Sequence, residues 1–199
     1  PVIVAAIVVS EMAVDFRHPA VLAKEMATLD VLFPGRVEVG LGAGYNPLDY
    51  SRAGIPMAPA GTRVRRLEEY VAALRLLFTG DEVSFHGHEY RMEAITGTPL
   101  PATPGGPRLL VAGGGPRLLR FAGAHADIVG VNPSTAAGRD RPATFVDALA
   151  PAIDAKVETV RVAAGDRWAT LELNAWVANA AVVSGRSEAE KAVAGLARF

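Results

Sequence analysis

The stretch Gly35-Arg36-Val37-Glu38-Val39-Gly40-Leu41-Gly42-Ala43-Gly44-Tyr45-Asn46-Pro47-Leu48-Asp49-Tyr50 decides how the chain is read. Arg36 to Leu41 carries the alternating Val37, Val39 and Leu41 of a short strand. Gly40, Gly42 and Gly44 then remove three side chains within five residues. Glycine permits positive φ and lets another group come close to the backbone. Tyr45, Asn46 and Asp49 follow where the strand gives way to a loop, which is where α/β proteins hold ligands. The same pattern also serves a tight strand exit without a ligand, and a lone G-x-G-x-G does not choose between the two.

Before this stretch, Val2 to Val9 is a continuous apolar run rich in valine and isoleucine, the pattern of a strand buried on both faces. Ser10 to His18 reads as a loop. Pro19 suits a first helical turn, and Val21, Leu22, Met26, Leu29 and Leu32 keep helical spacing up to Phe33-Pro34-Gly35. A chain rarely begins on a buried strand, and Pro1 is an unusual first residue, so an earlier segment is expected. After the stretch comes a loop, then a helix from Thr62 to Phe78 that buries Leu67, Val71, Leu74 and Leu77 or Phe78. A small hairpin over 82–92 follows, turning at His86-Gly87-His88. Arg108 to Ala112 is the next strand, Arg117 to Ala124 a helix and Ala126 to Val131 a strand. Pro142 to Ala164 reads as one helix with Phe145, Leu149, Ile153, Val157 and Val160 on its buried face. Thr170 to Ala178 is a strand with Leu171, Leu173, Ala175 and Val177 on one side. A helix starts at Ser187, its expected N-cap. The alternation of strands and helices predicts a parallel sheet with helical crossovers in a single domain over 1–199, with the hairpin as an insertion.

Composition narrows the function. The 20 Lys and Arg residues nearly balance the 21 Asp and Glu, for a net charge of −1, so no nucleic-acid or membrane surface is expected. Hydrophobic residues make up 50%, enough for a large core. The absence of cysteine excludes disulfides, thiolate metal sites and a cysteine nucleophile, and is compatible with a cytoplasmic location. Pro1 to Val9 is too short to span a bilayer.

Gly113-Gly114-Gly115-Pro116 is the second ligand signal. A buried strand enters it and a helix leaves it, so free N–H groups and a helix dipole meet there, a combination that binds phosphate or another anion. Arg117 adds a formal charge. A tight turn alone needs one glycine rather than three. The motif is neither a Walker loop nor a dinucleotide G-x-G-x-x-G. Of the histidines, His86 and His88 are read as turn residues with no convincing third ligand, so no metal site is assigned. His18 is a loop anchor or a site residue, and His125 closes a helix. Asp127 is read as structural.

Three ordered pieces together resemble one family: Phe16-Arg17-His18-Pro19 with Ala27-Thr28-Leu29-Asp30; Gly35-Arg36 with Gly40-Leu41-Gly42-Ala43-Gly44-Tyr45; and Leu110-Val111-Ala112-Gly113-Gly114-Gly115 with Ala126-Asp127. Arg63, Leu67-Glu68-Glu69, Phe85-His86-Gly87 and Tyr90 extend the likeness. It is to the bacterial luciferase-like superfamily, and within it to the deazaflavin (coenzyme F420)-dependent oxidoreductases. The resemblance implies a TIM (β/α)8 barrel with the cofactor across the carboxyl ends of the strands. The phosphate would rest on Gly113, Gly114 and Gly115 near Arg117 and Leu118, and Ala43, Gly44 and Tyr45 would lie near the ring or ribityl chain. Val9 and Ser10 match the place where the family often has a non-prolyl cis peptide supporting the ring. The family's first two strands would precede Pro1 and its last would follow Phe199; the remaining five cannot close an eight-stranded barrel. Many relatives have Glu or Trp where this chain has Tyr45, and no catalytic residue is carried over. The implied activity is hydride transfer between F420 and a small organic substrate, in a homodimer. An FMN-dependent monooxygenase is the near alternative, and a non-catalytic anion-binding barrel fragment is the alternative of another class.

Overall fold

The computed structural model describes residues 7–136, 142–175, 183–188 and 190–191, with residues 7–12 as backbone only. Five parallel strands form one sheet in the order β1-β2-β5-β6-β7. They are β1 (Ile7–Ala13), β2 (Val37–Gly42), β5 (Arg108–Gly113), β6 (Ile128–Val131) and β7 (Glu172–Asn174). A hairpin of β3 (Glu82–His86) and β4 (Arg91–Thr96) stands apart as a second sheet. The helices are α1 (Pro19–Leu32), α2 (Pro47–Ala53), α3 (Ala60–Leu77), α4 (Pro116–His125), α5 (Pro142–Val146) and α6 (Ala150–Ala164). Among the described residues the sheet is open: it ends on β1 at one side and β7 at the other, and no barrel closes. No described helix is long and apolar enough to cross a membrane.

Parallel pairing puts alternate residues of each strand on opposite faces, and both faces of the central strands are buried. Val37, Val39 and Leu41 of β2, Leu109 and Val111 of β5, and Val129 and Val131 of β6 pack with the helices in the main core. Leu110, Ala112 and Ile128 form a smaller cluster of their own. α3 contributes Leu67, Val71, Leu74 and Leu77 to the main core, as its spacing predicts, and Phe78 beyond its end joins them.

Four local expectations are corrected. Residues 10–13 are strand rather than loop, because Met12 and Ala13 pair with Leu41 and Gly42. The register shifts between Val9 and Met12, so β1 carries a bulge that absorbs the polar Ser10 and Glu11. A short helix, α2, occupies part of the stretch read as loop. Asn46 accepts a hydrogen bond from the Leu48 N–H, Pro47 sits in its first turn and Gly54 closes it. The single helix expected over 142–164 is two, broken at Asp147 to Leu149. Pro151 has no N–H for the carbonyl of Asp147 and its ring crowds that carbonyl, so a continuous helix cannot pass. Phe145 and Leu149, expected to be buried, are each 58% exposed in consequence. Residues 186–188 are already helical, and Glu188 accepts from both the N–H and the hydroxyl of Ser184, so that helix is tied at Ser184 rather than capped by Ser187. Leu173 on β7 is exposed, since β7 has a neighbour only on its β6 side among the described residues. The expected strand residues 2–6 and 176–178 lie outside the described residues, as does most of the last helix.

Candidate functional site

β2 and β5 are neighbours in register, with Leu41 beside Val111. The turns that leave them, Ala43-Gly44-Tyr45 and Gly113-Gly114-Gly115, therefore emerge side by side from the carboxyl edge of the sheet. That is the edge at which open parallel sheets bind ligands.

The first turn is shaped from below. Gly44 has φ +73°, and a Cβ there would lie 2.0 Å from the Tyr50 hydroxyl. Tyr50 is buried in α2 and donates to Asp15 Oδ2 at 2.8 Å. Arg66 Nη1 donates to the other oxygen of Asp15 at 3.1 Å, and Arg66 Nε to Glu89 at 3.0 Å. Burial first, then the hydrogen bond and charge of Asp15, push the Tyr50 phenol well above its ordinary range, so it stays a protonated donor. Arg63 holds the same turn from α3. Its Nε reaches the carbonyls of Ala43 at 3.1 Å and Gly44 at 3.3 Å, and its Nη1 donates to Ala58 O. Ala43 packs against the core, while Tyr45 at the tip is 49% exposed.

The second turn contains three glycines in three different settings. A Cβ on Gly113 would lie 2.3 Å from Leu118 Cδ2, a side chain buried in the core. A Cβ on Gly114 would lie within 2.6 Å of backbone atoms of Asn132, Pro133 and Ser134. A Cβ on Gly115 would meet nothing within 4 Å outside its own helix and chain neighbours. Gly115 is the N-cap of α4 and makes no side-chain cap, and Pro116 begins the helix without an N–H. The N–H groups of Arg117 and Leu118 therefore stand in a first turn that offers them no intrahelical acceptor. The guanidinium of Arg117 turns back to α3, pairing with Glu68 through bonds of 2.9 and 2.6 Å. Its charge is already matched by Glu68, so an anion at this end would have to be held by main chain.

A third segment joins these two. The exit of β6, Asn132-Pro133-Ser134, lies against Gly114, and Asn132 N–H donates to Gly113 O at 3.1 Å. Lys156 of α6 donates to Asn132 O at 3.1 Å, to Asp147 O at 3.2 Å and to the Asp147 carboxylate. Asp147 Oδ2 also accepts from Ser134 N–H at 2.6 Å, and the Thr144 hydroxyl donates to Ser134 O at 3.2 Å. Burial acts to raise the Asp147 pKa, but the bonds from Lys156 and Ser134 together with the Lys156 charge outweigh it and hold the carboxyl below its ordinary range.

Of the other sequence-stretch candidates, Val9 pairs with Val39 and precedes the β1 bulge. The side chains of Val9 and Ser10 lie outside the described residues, but their backbone does not, and the non-prolyl cis peptide expected there is not found: the cis bond among the described residues is Thr98–Pro99. His18 caps α1 by accepting from Ala20 N–H at 3.3 Å. His86 pairs with Glu93, and His88 approaches Glu89. Asp127 takes Leu109 N–H at 2.8 Å and Arg75 at 2.6 Å at the far end of the sheet, a structural role. A cavity of about 630 Å³ between α3 and α4, lined by Glu68, Arg75, Phe121, His125 and Arg167 among others, takes no residue from either glycine turn. Asp15, Asp147 and Lys156 were not singled out from sequence, Arg63 entered only through the resemblance, and Tyr50 was quoted as the end of the opening stretch without a role. Of the first three, Lys156 alone left a trace there: it interrupts the apolar stripe of Ile153, Val157 and Val160.

Residues 7–187 match the family model described as luciferase-like monooxygenase. An F420-dependent glucose-6-phosphate dehydrogenase of Intrasporangium calvum is 37% identical over 148 residues, which are 73% of this chain and 42% of that protein. An F420-dependent glucose-6-phosphate dehydrogenase of Nakamurella multipartita is 34% identical over 141 residues, 71% of this chain and 39% of that one. The chain thus spans less than half the length of these curated relatives. Among solved structures, a monooxygenase from Streptomyces bottropensis superposes with a TM-score of 0.70 at 23% identity, covering 96% of this chain and 54% of that one, a likeness of fold.

Proposed function

The chain belongs to the luciferase-like monooxygenase family, and from that premise we propose that the protein is an F420-dependent oxidoreductase acting on a small organic substrate. The observation that carries the reading is the register of Leu41 beside Val111, which brings the two glycine turns together at one sheet edge. The names of the relatives at 37% and 34% identity support F420 over FMN.

The residues present fit a phosphorylated, ring-bearing cofactor. The open space at Gly115 and the uncapped first turn of α4 suit a phosphate. An anion there gains charge-assisted hydrogen bonds of about 1.5–3 kcal/mol each and a favourable dipole term of about 0.3–1 kcal/mol. With Arg117 engaged by Glu68, the seat relies on N–H groups of Gly115, Arg117 and Leu118. The Ala43-Gly44-Tyr45 turn would border the ring or ribityl chain. Its bare main chain allows close approach, Arg63 and the Tyr50–Asp15 pair keep it in place, and Tyr45 supplies a flat exposed side chain at the rim. When bound, the deazaflavin supplies the hydride chemistry. The protein's part is to hold the phosphate, fix the ring over the sheet edge and exclude water.

Titrating the full-length protein with F420 and with FMN, followed by fluorescence, tests this. Saturable binding of F420 in preference to FMN is expected. Preference for FMN favours the monooxygenase alternative, whose cofactor presents a phosphate to the same turn. Binding of neither favours a non-catalytic anion-binding module.

A further inference from the structure

Asn132-Pro133-Ser134 belongs to neither glycine turn, yet its backbone occupies the space that a side chain at Gly114 would need. Beyond Val131 this segment leaves the sheet after one last main-chain bond, Asn132 N–H to Gly113 O, so past Asn132 the strand ladder no longer dictates its course. Side chains from α5, α6 and the break between them do. The ammonium of Lys156 has three donors, and the three acceptors it meets are Asn132 O, Asp147 O and the Asp147 carboxylate. The Asp147 carbonyl is available because Pro151 has no N–H to offer it. Lys156 is 8% exposed, so these bonds form where water competes little. Asp147 passes the constraint on to Ser134 N–H, and Thr144 fixes the carbonyl of the same residue.

We propose that Lys156, through Asp147, is a positioning residue for the phosphate seat: it presses the β6 exit against Gly114 and so sets the main-chain geometry of the Gly113-Gly114-Gly115 turn. With all three donors engaged and its charge matched by Asp147, Lys156 acts on the loop and leaves the anion to the N–H groups of the turn. The inference rests on the reading of that turn as a phosphate seat.

The test uses the full-length protein and Lys156→Met, which keeps the unbranched apolar stem of the side chain and removes the donors. Two ligand pairs are titrated: FMN against riboflavin, and F420 against its phosphate-free deazaflavin core. Within each pair the ring is the same and only one member carries phosphate. Affinity for the phosphate-bearing member is expected to fall about tenfold, and that for the phosphate-free member by less than about twofold. Equal losses for both members would make Lys156 a general structural residue and overturn the proposal, as would no loss. Should Lys156→Met fail to fold, Thr144→Val removes the hydroxyl that donates to Ser134 O on the same loop, and the same split at about threefold is expected; no split overturns the proposal. A wild-type protein that binds none of the four ligands overturns the cofactor reading and the clamp with it. A wild-type that binds and a Lys156→Met variant that does not discriminate overturn the clamp alone.

Discussion

The two ends of the sheet are built on opposite principles. At the amino end, side chains reach into the backbone and fill it. Asp30, fully buried, takes both the N–H and the hydroxyl of Thr103, and that hydroxyl accepts from Gly35 N–H. Asp127 takes Leu109 N–H and Arg75, and Arg108 bridges Glu38 and Glu172. At the carboxyl end, side chains bond mainly to carbonyls, those of Ala43, Gly44, Asn132 and Ser134, and Ser134 N–H is the donor they take. Arg63, Tyr50 and Lys156 hold the turns from outside or below, and Arg117 is drawn off to Glu68. What they leave at the surface is main chain: the tip at Gly44 and the open α4 start at Gly115. In a barrel-type sheet the amino end serves stability and the carboxyl end serves chemistry. The contrast here lies in who supplies the hydrogen-bonding groups. At one end side chains take backbone N–H groups; at the other they take mostly carbonyls, and on the proposed reading the N–H groups at the start of α4 are left for a ligand.

The sharpest break of this contrast is Gly114→Asp. Its Cβ meets backbone of residues 132–134, and its carboxylate stands where a phosphate is expected. Cofactor binding should vanish in fluorescence titrations, with a stability loss above about 3 kcal/mol in urea unfolding. Unchanged affinity would place the phosphate elsewhere. Next comes Asp30→Ala at the opposite end, which strands two half-buried donors of Thr103 and should cost about 2–4 kcal/mol in the same unfolding measurement. Cofactor affinity of the folded fraction should not change; a parallel loss would erase the division between the ends.

A finer contrast separates two adjacent glycines. Gly115 has φ −85° and ψ 146°, which alanine accepts, and a Cβ there would meet nothing within 4 Å beyond its own helix and chain neighbours. Gly115→Ala should leave stability within about 0.5 kcal/mol while lowering affinity for a phosphate-bearing cofactor about tenfold, read by titration against the phosphate-free analogue. The smallest effect concerns pH. Asp147 has a folded-state pKa below its ordinary 3.8. A depressed carboxyl binds fewer protons folded than unfolded, so its stabilisation is present above that value and fades as pH falls through the folded pKa. The stability gap between wild type and Asp147→Asn should be constant from pH 5 to 7 and narrow below about pH 4, as checked by unfolding at each pH.

What was legible in the sequence was whatever local chemistry dictates. Pro19 and the apolar spacing after it gave α1 its observed bounds, Pro19–Leu32, and the valine alternation gave β2 to within a residue at each end. The side-by-side placement of the glycine turns followed only from the resemblance and needed the strand order to establish it. The short α2 was hidden because Gly40, Gly42 and Gly44 drew attention to a loop, although Asn46-Pro47 and Gly54 are ordinary helix boundaries. The break at Asp147 was written in Pro151, overlooked within a convincing apolar stripe. The supports of the site were not legible at all. Arg117 finds Glu68 on another helix, Tyr50 finds Asp15 across the end of β1, and Lys156 finds Asn132 on the β6 exit. Such pairings arise from tertiary packing, which no local spacing encodes.

The most direct measurement is a crystal structure of the full-length protein with F420 or FMN bound. Phosphate oxygens are expected within about 3 Å of main-chain N–H groups at Gly115, Arg117 or Leu118, with the ring lying toward the Ala43-Gly44-Tyr45 turn. A phosphate seated away from α4, or other parts of the protein packed over Gly115, would contradict a seat made of bare main chain at this edge.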